Sequence, residues 1–268
     1  MSIVTELQLL QDNIGNAYTK IEEKGGAIPS HKNTNNLTAA IDSIPSGGGQ
    51  DINVPREIIN GVYQTPKSLT SYSLPNGAND LGPYTLYYSF YGSTALTSAD
   101  LSGVVNITGE YALNGAFFGC TNLSSLNLEN LTAIRGSASC AAMCRGCTSL
   151  VSCDLSRLQE ISAASVFSTT FFGCTNIESM SFDNLTTITA NSVFNSTFRE
   201  CTNLHSLYFP SLTTLADTSI NNNYFTNMLL GCSNVNVHFP AAMKSIIKNF
   251  SATQNGYKGT NTTILYDL

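Results

Sequence analysis

A sequence repeat of constant length is the feature that most constrains the fold of this chain. The tetrapeptide GCTN and its variants GCTS, ECTN and GCSN recur along the sequence, and their cysteines are Cys120, Cys147, Cys174, Cys201 and Cys232. The first four of these cysteines are equally spaced, and Cys232 follows after a slightly longer interval. A repeat length of about 27 residues indicates a solenoid, because one unit cannot bury its apolar face without stacked neighbours.

Apolar columns extend the repeat towards the N-terminus, where two more units begin at Pro66 and Ser93. With the cysteine as position 1, apolar residues recur at positions 4, 9, 15, 21 and 25. Position 9, for example, holds Leu74, Leu101, Leu128, Leu155, Phe182 and Phe209. Positions 7 and 9 alternate with polar positions 6, 8 and 10, which predicts a short strand with one buried face. Stacked units predict a parallel sheet, and we expect an α+β solenoid of leucine-rich repeats.

One unit contains a cysteine cluster that needs a separate explanation. Cys140, Cys144 and Cys147 have the C-x3-C-x2-C spacing with which radical-SAM enzymes hold an iron–sulfur cluster. Cys140 and Cys144, however, stand at positions 21 and 25, where neighbouring units have Leu or Phe, and Cys153 replaces an apolar residue at position 7. A buried thiol behaves as a small apolar group. We therefore expect core cysteines, with no metal and no cofactor.

Disulfides are not expected either. Stacked equivalents lie about 4.8 Å apart with parallel side chains, which is beyond the Cβ separation that a disulfide prefers. Thr at position 2 and Asn at position 3, such as Thr121 and Asn122, predict hydrogen bonds to turn backbone. The glycosylation sequons at Asn122, Asn130 and Asn184 arise from the same repeat and say nothing about secretion.

Charged residues make up only 11% of the chain, and the net charge is −6. An acidic chain with few Lys and Arg argues against a nucleic-acid partner and against docking on an anionic membrane. The segment MSIVTELQLLQDNIG lacks the basic flank and apolar core of a signal peptide, and no apolar run approaches the ~20 residues of a membrane span. We expect a chain made in a cytoplasm, with no membrane insertion.

The N-terminal segment carries a heptad seam over residues 1–24. The seam residues, spaced 4, 3, 4, 3 and 4 apart, are Ile3, Leu7, Leu10, Ile14, Ala17 and Ile21. This spacing predicts an oligomerisation and attachment helix, with a homotrimer as the expected state. The alternative is one amphipathic helix packed on the solenoid. Residues 25–50 are predicted to form a second short helix and a flexible Gly-rich linker.

Both ends of the solenoid need caps, because terminal repeats would otherwise expose their apolar faces. Residues 51–65 are predicted to supply an N-terminal cap strand, residues 66–240 the solenoid, and residues 241–268 a C-terminal cap. In the latter, FPAAMKSIIKNF predicts a short helix opened by Pro240. Its apolar side would consist of Met243, Ile246, Ile247 and Phe250. NTTILYDL predicts a final strand.

The unit F-x-G-C-T-N-L-x-S-L-x-L-x-x-L-T-x-I resembles the BspA-like leucine-rich repeats of bacterial surface proteins, from Pro66 to about Pro240. That resemblance implies adhesion to surfaces, proteins or glycans, and it brings no catalytic residues. The short N-terminal helices, the GGG linker, FPAAMKSIIKNF and TILYDL are similar to tail, baseplate or fibre proteins of phages of Gram-positive bacteria.

The two resemblances together imply a non-enzymatic virion protein, assembled in the cytoplasm of a bacterial host. Its expected partners are itself, other virion proteins through the N-terminal helices, and a host cell-surface glycan or protein. The alternative is a bacterial BspA-like adhesin or another interaction module with no virion. His31, His205 and His238 are far apart, and no nucleophile elbow or P-loop is present, which disfavours an enzyme.

The candidate binding residues lie at or beside the outward strand positions. They are Asp100, Asn127, Asp154, Ser181, His205 and Tyr208. Small polar side chains with one tyrosine suit sugar hydroxyls through hydrogen bonds and stacking. The alternative is a sheet face that is merely solvated.

Overall fold

The structure, a computed structural model, describes residues 57–59, 62–64, 67–74, 77–215, 224–247 and 259–268. The chain divides into two units, Met1–Asp51 and Ile52–Leu268, and all described residues belong to the second unit. The predicted heptad seam from Ile3 to Ile21 and the Gly-rich linker lie outside the described residues.

The described strands are short and alternate between two lengths along the chain. The first two, β1 (Glu57–Ile59) and β2 (Val62–Gln64), pair as an antiparallel hairpin within the segment predicted to be the N-terminal cap. The solenoid strands that follow are β3 (Ser71–Ser73), β4 (Asp80–Leu81), β5 (Ser98–Asp100), β6 (Asn106–Ile107), β7 (Ser125–Asn127), β8 (Ala133–Ile134), β9 (Ser152–Asp154), β10 (Glu160–Ile161), β11 (Ser179–Ser181), β12 (Thr187–Ile188), β13 (Ser206–Tyr208), β14 (Thr214–Leu215), β15 (Asn236–His238) and β16 (Thr263–Leu265).

Equivalent strands of successive repeats pair in parallel, and the predicted parallel sheet of stacked repeats is confirmed. The two-residue strands form one six-stranded ladder from β4 to β14. The three-residue strands form two four-stranded ladders, β3 to β9 and β11 to β16. Register follows the repeat, so that Leu126 pairs with Cys153, its equivalent in the next repeat. This register places chemically equivalent side chains above one another in columns.

The apolar columns form a single continuous core. At position 9, Leu101, Leu128, Phe182 and Phe209 are completely buried. The rings of Phe182 and Phe209 stack in parallel with their centroids 5.0 Å apart. Burial of each such side chain contributes about 1.5–3 kcal/mol, and a single repeat in isolation would lose most of that contribution.

Positions 19 to 27 of each repeat build a third wall, the turn wall, which consists of hydrogen-bonded turns. Every fourth residue has a positive φ, as at Ala138, Ala142 and Gly146. Successive amides alternate between two partners: Ala141 N–H donates within its own turn to Ala138 O at 3.1 Å, and Ala142 N–H donates to Ser168 O of the next repeat at 2.8 Å.

This pattern shows that the solenoid repeats themselves are built of strands and turns, whereas the short N-terminal helices of the predicted α+β class lie outside the described residues. The helical element within the described residues is the 3₁₀ helix η1 (Ala241–Ser245). Residues with a positive φ cannot continue a right-handed helix, and amides that donate to a neighbouring repeat cannot close an i to i−4 bond. In the turn wall, backbone hydrogen bonds between repeats therefore take the place that helices occupy in other solenoids.

The C-terminal cap follows the prediction in part. The helix predicted after Pro240 is the short 3₁₀ helix η1, with Met243 completely buried and Ile247 largely buried. Phe250 lies outside the described residues. The predicted final strand is confirmed as β16, which pairs in parallel with β15.

The polar columns bind backbone of the preceding repeat, as predicted for Thr and Asn. Thr148 Oγ1 donates to Thr121 O at 3.3 Å, and Asn122 Nδ2 donates to Thr94 O at 2.8 Å. Asn130 and Asn184 make the same kind of bond at 2.9 and 2.6 Å. The sequon asparagines thus use the nitrogen that a glycan would occupy to join one repeat to the next.

Position 27 provides a direct test of the turn wall. Gly173 occupies it with φ 72°, whereas Glu200 occupies it with φ 61°. A left-handed conformation costs a side-chain-bearing residue about 1–2 kcal/mol. The ion pair of Glu200 with Arg199 is exposed and contributes little. We expect Glu200→Gly to raise the free energy of unfolding by about 0.5–1 kcal/mol, measured in urea.

The matched control is Gly173→Ala, which should lower the free energy of unfolding by about 1 kcal/mol. A Cβ at Gly173 would meet no atom within 4 Å, so the backbone conformation alone causes the loss. A Glu200→Gly protein that is less stable than wild type would contradict this account of the turn wall.

Candidate binding face

The strand face is the surface formed by positions 6 and 8 of the three-residue strands. In β9, Ser152 and Asp154 are exposed while Cys153 between them is buried, and β5, β7 and β11 follow the same alternation of exposure. In β13 the outward Ser206 is nearly buried and Tyr208 is half-buried. The six predicted binding residues therefore lie on or beside one face of the solenoid.

Three of these candidates also have a local structural role. Asp100, Asn127 and Asp154 each accept a hydrogen bond through Oδ1 from the backbone N–H two residues on, at 2.9–3.0 Å. This Asx turn ends the strand and directs the chain towards the next wall. The acidic or amide side chain at position 8 is therefore explained in part by folding, and its second oxygen or nitrogen stays available.

The strand face is interrupted between the fourth and fifth repeats. Strands β9 and β11 are not hydrogen-bonded to each other, whereas β10 and β12 of the same repeats remain paired. The interruption coincides with a change in the core at position 9, from Leu155 in the fourth repeat to Phe182 in the fifth. A phenyl ring needs more room than a leucine side chain, so the strands separate on the side where the ring is added.

A groove of about 410 Å³ opens at this interruption. Its lining residues are Ser152, Cys153, Asp154, Leu155, Ser156, Ser179, Met180, Ser181, Asp183 and Tyr208. Of the predicted candidates, the groove brings together Asp154, Ser181 and Tyr208. Asp100 and Asn127 lie on the neighbouring strands β5 and β7, and His205 is exposed with its Nδ1 3.1 Å from Ser206 Oγ.

Asp183 is the groove residue that sequence reasoning missed. It follows Phe182, the first phenylalanine of the position 9 column, so the change in that column was the signal that could have located it. Ser181 Oγ donates a hydrogen bond to Asp183 Oδ1. Within the described ranges, neither Asp154 nor Asp183 forms an ion pair, which leaves two carboxylates facing the groove without a cation.

Tyr208 is held in place by a second contact that the sequence did not reveal. Its ring stacks on His238 with centroids 4.5 Å apart and planes 16° apart. His238 Nδ1 lies 3.0 Å from Asp267 Oδ1, so the imidazole is fixed from its other side. The phenol ring is thereby positioned at the edge of the groove before any ligand arrives.

The cysteine cluster belongs to the core. Cys140, Cys144 and Cys147 are completely buried and Cys153 is 4% exposed. The column cysteines donate weak S–H hydrogen bonds to backbone carbonyls, such as Cys147 Sγ to Phe117 O at 3.0 Å. All eight cysteines are free and buried. In the part of the chain that the structure describes, no group of three His, Cys, Asp or Glu side chains is placed to hold a metal ion.

Burial also sets the chemistry of these thiols. Desolvation raises the pKa of Cys120 and of Cys140 to about 12. Burial raises the pKa of Cys144 well above its ordinary value.

A helix long and apolar enough to cross a membrane does not occur in the described ranges.

The architecture defines a leucine-rich-repeat solenoid. The family described as "BspA type Leucine rich repeat region" matches in six copies, over residues 51–157, 87–228 and 143–255. The chain therefore belongs to the BspA-type leucine-rich-repeat family, as its repeat unit predicted. No curated protein matches the chain.

The solved structures that match the chain include those of three bacterial proteins. The leucine-rich repeat protein TpLRR of T. pallidum is 19% identical with a TM-score of 0.40, and the match covers 78% of this chain and 96% of that one. The pneumococcal vaccine antigen PcpA is 15% identical with a TM-score of 0.31, covering 81% and 48%. The internalin InlF of Listeria monocytogenes is 16% identical with a TM-score of 0.20, covering 66% and 56%.

The buried thiols should be unreactive towards a disulfide reagent such as DTNB at pH 8. Burial keeps the reagent away from all eight thiols. The pKa of Cys120 and of Cys140 is also raised, so these two thiols stay protonated at this pH, and their reactive thiolates would form only as the pH approaches about 12. We expect no reaction in the native chain and reaction of all eight cysteines in guanidinium chloride. A Ser125→Cys variant, at an exposed outward position, serves as the control and should react once in the native state. Rapid reaction of more than one native wild-type thiol would contradict the core assignment.

Proposed function

We propose that this protein is a non-enzymatic binding module and that the groove between β9 and β11 holds a hydroxyl-rich polymer, such as a host cell-surface glycan. The observation that supports this is the interruption of the strand ladder, which gathers Asp154, Asp183, outward serines and Tyr208 in one concave site. Carboxylates accept hydrogen bonds from sugar hydroxyls, and the phenol ring offers a surface for stacking.

The surroundings of the groove favour an extended ligand. A parallel sheet repeats its outward positions about every 4.8 Å, so Asn127 and Asp100 continue the polar lining beyond Asp154. The Asx turns and the stacking of Tyr208 on His238 hold several of these groups before binding. Preorganised groups lose little conformational entropy when they bind, which suits repeated weak contacts with a polymer.

We further propose that the solenoid is carried on a phage virion, with attachment and trimerisation through residues 1–24 and assembly in the host cytoplasm. The support is in the sequence: the heptad seam of Ile3, Leu7 and the following seam residues, the Gly-rich linker, and terminal segments similar to phage tail and baseplate proteins. The alternative function is that of a bacterial adhesin without a virion. It would use the same groove, and the solenoid would be carried on a different structure.

Groove binding can be tested with purified cell walls of a Gram-positive bacterium and the full chain. The double variant Tyr208→Ala with Asp183→Asn removes one stacking surface and one charge, and we expect at least roughly ten-fold weaker binding. Glu160→Gln is the matched control, since it removes a carboxylate from strand β10, which belongs to the ladder of two-residue strands and does not line the groove. It should bind as wild type does.

The source of the ligand is separated by treating the walls. Binding that survives protease and is lost after periodate, which cleaves vicinal diols, supports a glycan. Binding lost to protease, or full binding by the folded double variant, would contradict the proposal.

Oligomerisation is tested by light scattering on the full chain, whose monomer mass is 28.7 kDa. Leu7→Glu with Leu10→Glu places two charges in the seam and should reduce a trimer to the monomer mass. Gln8→Glu with Gln11→Glu adds the same charge outside the seam and should leave the trimer intact. An unchanged mass in the first variant would show that residues 1–24 do not drive association.

A further inference from the structure

The turn wall carries an exposed tyrosine patch on a different surface from the strand face. In the repeat that begins at Pro66, all four outward positions of the turn wall are tyrosine: Tyr84, Tyr87, Tyr88 and Tyr91, each 40–51% exposed. In the fourth repeat the first three of these positions hold Ser165, Ser168 and Thr169. The fold therefore accepts small polar residues at these positions, and tyrosines are not needed for folding there.

Two of the patch tyrosines occupy the left-handed positions of the turn wall. Tyr84 and Tyr88 have φ angles of 57° and 49°, a left-handed conformation that costs about 1–2 kcal/mol per residue. Their rings face outwards, so burial in the core does not offset that cost. Gly115 of the next repeat leaves room for the Tyr88 ring, because a Cβ at Gly115 would lie 2.8 Å from it. A positive φ recurs at these positions in the following repeats, so the feature particular to this repeat is its set of large exposed aromatic side chains.

The tyrosines form one contiguous surface. The ring of Tyr84 stacks on that of Tyr111 at 5.4 Å, Tyr87 contacts Tyr88 at 4.7 Å, and Tyr88 contacts Tyr91 at 5.7 Å between centroids. At roughly 200 Å² for each side chain, the five tyrosines expose on the order of 450 Å². That is about half of the ~800 Å² per partner in a standard protein interface, so the patch suits a linear segment better than a whole folded partner.

A ladder of arginines and aromatic rings continues from the patch along position 26. Its members, in order along the solenoid, are Tyr91, Phe118, Arg145, Phe172 and Arg199. Tyr91 and Phe118 stack at 5.0 Å. The Arg145 guanidinium lies 5.4 Å from the Phe118 ring and 4.5 Å from the Phe172 ring, and Arg199 lies 5.2 Å from Phe172.

Stacking occupies the flat faces of the guanidinium and leaves its N–H edge available for a carboxylate. Within the described residues, Arg145 has no carboxylate partner. Arg199 contacts its neighbour Glu200 at 3.4 Å in an exposed pair, which a ligand carboxylate can replace at little cost. The ladder therefore presents two positive charges in line with an aromatic patch, on a chain of net charge −6.

The spacing of the ladder indicates the conformation of its ligand. Arg145 and Arg199 are two repeats apart, which places them about 9.6 Å apart. A polyproline II helix has three residues per turn and rises about 3.1 Å per residue, so every third side chain lies on one face at intervals of about 9.3 Å. Aromatic-lined surfaces bind such helices because little conformational entropy is lost.

We propose that the turn wall binds an acidic, proline-rich peptide segment in the polyproline II conformation. Its prolines pack on the tyrosine patch, and two carboxylates at i and i+3 bind Arg145 and Arg199. This site is independent of the strand-face groove.

The test measures binding of fluorescent synthetic peptides to the full chain. The peptide PPPPPEPPEP places glutamates at i and i+3, PPPPPPEPEP places them at i and i+2, and PPPPPQPPQP removes the charge. PEPPEPPPPP covers the opposite chain direction. We expect one of the two i, i+3 peptides to bind roughly ten-fold more tightly than the i, i+2 and neutral peptides, with an affinity that falls as salt rises.

Variants then assign the binding to the turn wall. The triple variant Tyr84→Ser, Tyr87→Ser and Tyr88→Thr copies the fourth repeat and should fold while binding roughly ten-fold more weakly. Arg145→Gln should have a similar effect. Arg135→Gln is the control. It removes an equal charge on another wall, where Arg135 pairs with Glu160, and it should leave peptide binding unchanged. The proposal would be overturned if the i, i+3 and i, i+2 peptides bound equally well, or if the two arginine variants had equal effects. Equally tight binding of polyglutamate would also overturn it.

Discussion

Hydrogen bonding between successive repeats is the interaction on which the rest of the structure depends. The strands of successive repeats pair in parallel ladders, which are broken between β9 and β11, and alternate amides of the turn wall donate to the next repeat as well. Because this register recurs with every repeat, side chains of one type form columns. The stacked phenylalanines, the thiol column and the arginine–aromatic ladder are all consequences of that register.

Much of the core could be predicted from the sequence, because repeats supply internal comparisons. Cys144 was assigned to the core by comparison with Phe117 and Phe171, and all three are completely buried. The turn wall could not be predicted in the same way, since its four-residue pattern of positive φ matches neither the strand period nor the helix period. Asp183 and His238 were missed because their roles depend on contacts between repeats at one irregular place.

The two proposed binding surfaces differ in chemistry although one backbone frame builds both. The strand face presents unpaired carboxylates and hydroxyls at a local opening, whereas the turn wall presents tyrosines and arginines in a regular column. In each case the backbone positions are fixed by bonding between repeats, so outward side chains are free to vary with little effect on folding. That division of roles explains how a BspA-type solenoid can keep its fold while its outward residues vary.

Residue-resolved amide hydrogen exchange by NMR tests the central claim most directly. If the turn wall is held by bonds between repeats, the amides of Leu113 and Phe117, which donate to the next repeat at 2.6 and 2.8 Å, should exchange as slowly as those of strand β7. Leu155 and Glu178, which flank the interruption between β9 and β11, should exchange faster. Turn-wall amides that exchange as rapidly as an unstructured loop, beside protected strands, would contradict the account.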